Sequence, residues 1–156
     1  MLVAMIACTH DALAAQEYCA LIETIGMELL PQPGLAPSSV LVIEDDHDVR
    51  VAVRLSLEEE GYQVQSATDG RRALELLELL ERGGQPPDLI LLDLMMPGMD
   101  GWEFAMRLRA KPRLSAIPVV IISAYDELPP PGVVAFLRKP LKFDALLQLA
   151  ARYCHH

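Results

Sequence analysis

From Val40 onward the chain alternates short aliphatic runs with longer amphipathic stretches. Val40-Leu41-Val42-Ile43 is a continuous, largely β-branched run, as a strand buried on both faces requires. Residues 49–60 follow with Val49, Ala52, Val53 and Leu57 on one helical face, and Gly61 stands where the helix should end. Residues 62–67 alternate as a second strand, Asp69-Gly70 reads as a turn, and 71–81 is strongly helical. A loop over 82–87, with Gly83-Gly84 and Pro86-Pro87, leads to a third apolar strand at 89–92. The pattern then predicts a helix over 102–111, strands over 119–122 and 133–137, and a closing amphipathic helix over 143–152. Such alternation predicts an α/β domain with a five-stranded parallel sheet, doubly wound with helices on both faces.

The stretch before Val40 has a different character. Residues 1–30 are rich in Ala, Leu, Met and Ile, and they end at Pro31-Gln32-Pro33-Gly34, with Pro37 further on. Helix formers followed by a proline-rich run predict an N-terminal helical extension and linker over 1–37, and the α/β domain over 38–156.

In a doubly wound parallel sheet the ligand site lies beyond the carboxyl ends of the strands. Glu44, Asp45 and Asp46 follow the first strand, Asp93 the third, Ser123 the fourth and Lys139 the fifth. Each alone is ordinary, since an acid after a strand is commonly a helix cap or a solvated charge. Together they bring carboxylates, a hydroxyl and an ammonium to one sheet edge. Crowded carboxylates repel unless a cation joins them, and Mg²⁺ suits a few carboxylates plus water and a phosphate. A carboxylate can attack a phosphoryl group to form an acyl phosphate. Lys139 and the cation would then neutralise charge, and Ser123 would donate to a phosphoryl oxygen.

Composition narrows the setting. The net charge of −9 argues against a nucleic-acid partner, because the chain would release few counterions from a phosphate backbone. Residues 1–37 hold Asp11, Glu17, Glu23 and Glu28 and no Lys or Arg. Cys8, Cys19 and Cys154 are far apart and form no CxxC, which suits reduced thiols. His10, His47, His155 and His156 make no zinc pattern with them. The short apolar start lacks the basic residues of a secretory leader, and no run is long enough to span a membrane. The expected setting is the cytoplasm, with no membrane partner.

Four stretches carry a family resemblance: residues 40–46 (Val-Leu-Val-Ile-Glu-Asp-Asp), Leu91-Leu-Asp-Leu-Met-Met-Pro-Gly-Met-Asp-Gly101, Val120-Ile-Ile-Ser-Ala124 and Phe136-Leu-Arg-Lys-Pro140. In this order and at these strand ends, the chain from Val40 to about Arg152 resembles the receiver domain of two-component response regulators. The resemblance implies a flavodoxin-like topology and a phosphoacceptor, not a turnover enzyme. It implies Asp93 as the phosphorylated residue, Glu44 and Asp45 as the acidic pair for Mg²⁺, and the Met95 carbonyl as a further ligand. Ser123 becomes the switch hydroxyl, Phe136 the aromatic that follows it, and Lys139 the phosphoryl-contacting cation. Asp46 is left as a helix cap or solvated charge, residues 97–101 as the turn opening the third helix, and the Lys139-Pro140 bond as cis. The implied partners are a histidine kinase or histidine phosphotransfer protein and an unidentified downstream protein.

Two departures stand out. Only 15 residues separate Ser123 from Lys139, and Pro129-Pro130-Pro131 lie among them. Prolines remove donors and clash with a helical turn, so the usual fourth helix should be missing or reduced to a single turn. No helix-turn-helix or catalytic segment follows the closing helix, so the expectation is a stand-alone regulator, a phosphorelay intermediate or a hybrid-kinase fragment. Two other classes fit the pattern less well. One is a phosphorylation-independent protein-binding module on the same fold. The other is a flavin- or nucleotide-binding α/β protein, disfavoured by the acids at the first strand end and the lack of a Gly-Lys-Ser/Thr phosphate loop.

Overall fold

The computed structural model describes residues 37–124 and 129–154. The helical extension predicted over 1–37 therefore lies outside the described residues, Pro37 excepted, as do Tyr125, His155 and His156. Five parallel strands form one sheet in the order β2-β1-β3-β4-β5: β1 (Ser39–Ile43), β2 (Gln63–Ala67), β3 (Leu89–Asp93), β4 (Val119–Ser123) and β5 (Val133–Arg138). Among the described residues, four helices connect or follow them: α1 (His47–Glu59), α2 (Gly70–Arg82), α3 (Gly101–Arg109) and α4 (Phe143–Tyr153). The doubly wound five-stranded parallel sheet is what the alternation predicts, and its strand order is the flavodoxin-like one that the resemblance implies.

Period-two alternation sorts the strand residues onto two faces. Leu41, Ile43, Ile90, Leu92 and Ile121 pack with Leu77 of α2 and with Phe104 and Leu108 of α3. Val40, Val42, Leu91, Val120 and Ile122 pack with Val53 and Leu57 of α1 and with Leu146 and Ala150 of α4. Every residue of β3 and β4 is buried, which is why both strands read as unbroken apolar runs. No helix among the described residues is long and apolar enough to cross a membrane.

Helix boundaries follow local chemistry. Asp46, Asp69 and Asp100 are the N-caps of α1, α2 and α3, their carboxylates accepting from Val49 N at 3.0 Å, Arg72 N at 2.9 Å and Glu103 N at 2.8 Å. Asp69 thus ends the turn and Gly70 already begins α2. The third helix stops at Arg109, two residues short of the sequence expectation, ahead of Pro112, whose ring and missing N–H disfavour continuation. Asp93 and Ser123, expected just after their strands, are the last residues within them.

Among the described residues no helix lies between Ser123 and Val133, in accord with the triple proline. β5 is an edge strand, in which Val133, Ala135, Phe136 and Leu137 are half-buried and Val134 is 41% exposed. Val134 is also the extra residue of a bulge, since Val119 pairs with Val133 and Val120 with Ala135. One inserted residue exchanges the faces of all that follow. Phe136 therefore packs with the α2–α3 cluster, and Ala135 and Leu137 with the α1–α4 cluster.

Candidate functional site

The parallel ladder continues past the strands. Glu44 N donates to Ala67 O at 3.1 Å, and Lys139 N donates to Ser123 O at 2.9 Å. These bonds fix the main chain of residues just beyond β1 and β5. Lys139 then turns its ammonium onto two carboxylates: Nζ lies 2.8 Å from Asp93 Oδ2, 2.9 Å from Glu44 Oε2 and 3.1 Å from Glu44 Oε1. The Lys139-Pro140 bond is cis. Asp93 Oδ1 accepts from the Met95 amide at 3.0 Å, so both oxygens of this 4% exposed side chain have donors.

Asp45, Glu44 and Asp93 each offer a carboxylate oxygen, and these three oxygens lie within 4.8 Å of one another. Glu44 is buried and Asp45 exposed, bordering a cleft of about 850 Å³ that also includes Thr68, Arg72 and Gly98. Glu44 Oε2 is buried and accepts no hydrogen bond; its contact with Lys139 is an ion pair without hydrogen-bond alignment. A buried, orphaned carboxylate oxygen beside two further acids fits a hard divalent cation such as Mg²⁺.

Burial shapes the electrostatics. Desolvation, reinforced by the Asp93 charge and opposed by Lys139, pushes the Glu44 carboxyl up to about 7. Desolvation would lower Lys139, but its hydrogen bonds and ion pairs with Asp93 and Glu44 outweigh that and raise it. A carboxyl raised on folding contributes stability that is fully present below the unfolded value of 4.5 and lost as pH rises through about 7. In chelator, the protein should therefore lose on the order of 2 kcal/mol between pH 5 and pH 8 from this group. Denaturant midpoints across that range should show the loss in the wild type and not in Glu44→Gln. Equal slopes for both proteins would contradict it.

The remaining expected residues fall near this centre in different ways. Ser123 is fully buried at the end of β4, one step beyond the Asp93–Ile122 register pair. Phe136 lies opposite Ile121 in the β4–β5 register and is half-buried. Met95 is anchored by its amide, with its residue 54% exposed. Asp46 is the α1 cap, and its carboxylate is held below the usual range first by the Val49 N–H. Residues 97–101 form the turn into α3, with Gly98 at φ +82.

Two contributors have no signature in the strand-end pattern. Arg50 of α1 donates to the carbonyls of Glu44 and Asp45. Gly101 lets the start of α3 approach Asp93, since a Cβ there would lie 2.4 Å from the Asp93 carbonyl oxygen. An arginine in the first turns of the helix that follows the acids was the available sign for the former.

Comparison with known proteins bears on the family and the fold. The family described as response regulator receiver domain matches residues 40–151. The transcriptional regulatory protein AfsQ1 of Streptomyces coelicolor is 40% identical over 57% of this chain and 36% of its own length. The response regulator MprA of Mycolicibacterium vanbaalenii is 35% identical over 71% of this chain and 48% of its own length, so the chain spans less than half of either regulator. Among solved structures, the receiver domain of a signal transduction histidine kinase from Syntrophus aciditrophicus is 31% identical. It has a TM-score of 0.64 and covers 75% of this chain and 89% of its own. The chemotaxis protein CheY4 of Vibrio cholerae matches with 28% identity and a TM-score of 0.63 over 76% of this chain and 99% of its own. The chain belongs to the response regulator receiver domain family.

Proposed function

We propose that Asp93 accepts a phosphoryl group from a phosphohistidine on a histidine kinase or histidine phosphotransfer protein. The observation carrying this reading is the buried Asp93 carboxylate, held 2.8 Å from the Lys139 ammonium and grouped with Glu44 and Asp45. One Asp93 oxygen attacks phosphorus in line and the P–N bond breaks. The imidazole nitrogen keeps the bonding pair and takes a proton from solvent. Lys139 stays paired with the transferred group, and the Ser123 hydroxyl donates to one of its oxygens. Glu44, Asp45, Asp93 and the Met95 carbonyl would hold Mg²⁺, which supplies positive charge against the phosphoryl oxygens when bound.

The new dianion draws Ser123 toward it, Phe136 follows, and the change at β5 is what a downstream protein reads. The chain then serves as a signalling acceptor and not as a turnover enzyme, whether alone, as a relay intermediate or as part of a hybrid kinase. A cytoplasmic setting belongs to the same proposal. Incubation with acetyl phosphate and Mg²⁺ tests it. The expected product is an acid-stable, hydroxylamine-sensitive acyl phosphate in the wild type and none in Asp93→Asn; an unlabelled wild type sinks the reading.

One observation favours a second reading, a binding module indifferent to phosphorylation: no helix covers β5 between Ser123 and Val133 among the described residues. Amide exchange with Mg²⁺ and beryllofluoride separates the two. Altered protection in β4 and β5 supports the switch, and unchanged protection supports the module.

A further inference from the structure

We infer that Arg50 is a positioning residue for the divalent-cation site, clamping the main chain of the two acids that lie beyond β1. The inference rests on the proposed Mg²⁺-dependent reading. Beyond the Glu44 amide the β1 ladder runs out, and among the described residues the carbonyls of Glu44 and Asp45 have no strand partners. Arg50 supplies a partner to both: its Nη1 donates to Glu44 O at 2.8 Å and to Asp45 O at 3.1 Å. A single guanidinium nitrogen with two hydrogens matches two successive carbonyls, and the fork geometry is rigid.

The anchor point is itself fixed. Arg50 sits in α1, with its amide bonded to Asp46 O at 3.0 Å, and the helix start is capped by the Asp46 carboxylate. Nη2 lies 3.3 Å from His47 Nδ1, which further orients the guanidinium. Glu44 has a second restraint, because its amide bonds across to Ala67 O. Asp45 has none of comparable reach. It is exposed, belongs to no helix or strand, and among the described residues its carbonyl is held by Arg50. Freeing it would let a ligand carboxylate sample orientations that must be given up when the cation binds.

Charge and geometry predict opposite outcomes, which makes the role separable. A guanidinium held on the main chain of two of the three acids opposes a second cation by Coulomb repulsion, so its removal alone would tighten Mg²⁺ binding. Loss of the clamp would weaken it, as losses of supporting hydrogen bonds around metal ligands commonly do, by about tenfold. Arg50→Lys keeps the charge but cannot reproduce the rigid fork.

The test is calorimetric titration of the full chain with Mg²⁺ alone, in wild type, Arg50→Ala and Arg50→Lys, below the thermal transition of each. Weaker binding in both variants, by about tenfold in Arg50→Ala, is the expected result. The ¹³C carbonyl resonances of Glu44 and Asp45 in the metal-free protein should move in both variants as the hydrogen bonds are lost. Unchanged or tighter Mg²⁺ binding by a folded variant overturns the positioning role. Should Arg50→Ala fail to fold, Arg50→Lys decides alone. Absence of Mg²⁺ binding by the wild type overturns the functional reading and this inference with it, whereas Glu44→Gln losing binding while Arg50→Ala keeps it overturns only the inference.

Discussion

Replacing Lys139 with Met lowers the stability of the metal-free protein by about 3 kcal/mol at pH 8, with a Tm lower by roughly 10 °C. Lys139 lies between Glu44 and Asp93, both nearly inaccessible to solvent, and contacts each within about 3 Å. Met keeps much of the apolar stem and removes the charge, leaving two buried carboxylates facing each other. Their escape is protonation, and Glu44 is the group already pushed up to about 7. The penalty should therefore shrink at pH 5, where Glu44 is largely protonated. Saturating Mg²⁺ should recover part of the loss at pH 8. Thermal melts at the two pH values, with chelator and with Mg²⁺, measure all of this. A Lys139→Met protein that melts with the wild type at pH 8 in chelator would show that the ammonium is not what holds these carboxylates together.

Gly101→Ala is expected to be the most damaging small substitution outside the charged cluster. Gly101 opens α3, and its amide donates to Leu94 O at 3.0 Å. A Cβ would meet Asp93 O at 2.4 Å and Leu94 Cα at 2.7 Å. Both are backbone atoms, so no rotamer relieves the overlap, and β3 or α3 must shift. Overpacking of this kind costs about 1–3 kcal/mol. The displaced main chain is that of Asp93, the proposed phosphoacceptor, so on that reading the rate of acyl phosphate formation should fall by at least about tenfold, given how steeply misplacement affects reacting groups. Gly70→Ala is the control. There the Cβ meets Met99 Cγ at 2.8 Å and Sδ at 2.9 Å, both on a flexible side chain, with Met99 O at 3.1 Å. Denaturant midpoints should fall further for Gly101→Ala than for Gly70→Ala. The reverse order, or an unaltered phosphorylation rate in Gly101→Ala, would refute the argument.

Much of the site was legible because its chemistry sits at strand ends and strands announce themselves. Val40–Ile43 and Leu89–Leu92 are apolar enough to be placed without structural knowledge, and Glu44 and Asp93 interrupt those runs. The lack of a helix before β5 among the described residues was equally local, since the triple proline and the count of intervening residues leave room for at most a single turn. Arg50 escaped notice because the strand-end rule looks only at residues following strands, whereas Arg50 returns from within a helix to bond main-chain carbonyls. The Val134 bulge left no mark, because Val133 to Leu137 is apolar throughout and shows no alternation from which a phase could be read.

The sequence by itself determined the order of elements, the acids, hydroxyl and ammonium at the strand ends, and the proline stretch ahead of β5. These rest on periodicity, turn chemistry and donor loss, all of which act over a few residues. Only the tertiary structure decided that Lys139 pairs with Glu44 across 95 positions and with Asp93 across 46. It alone decided that Glu44 is buried with an unsatisfied oxygen while Asp45 is exposed, and that a bulge sets which face Phe136 takes. Burial, register and desolvation arise from how the strands and helices pack together, so no local window of residues contains them.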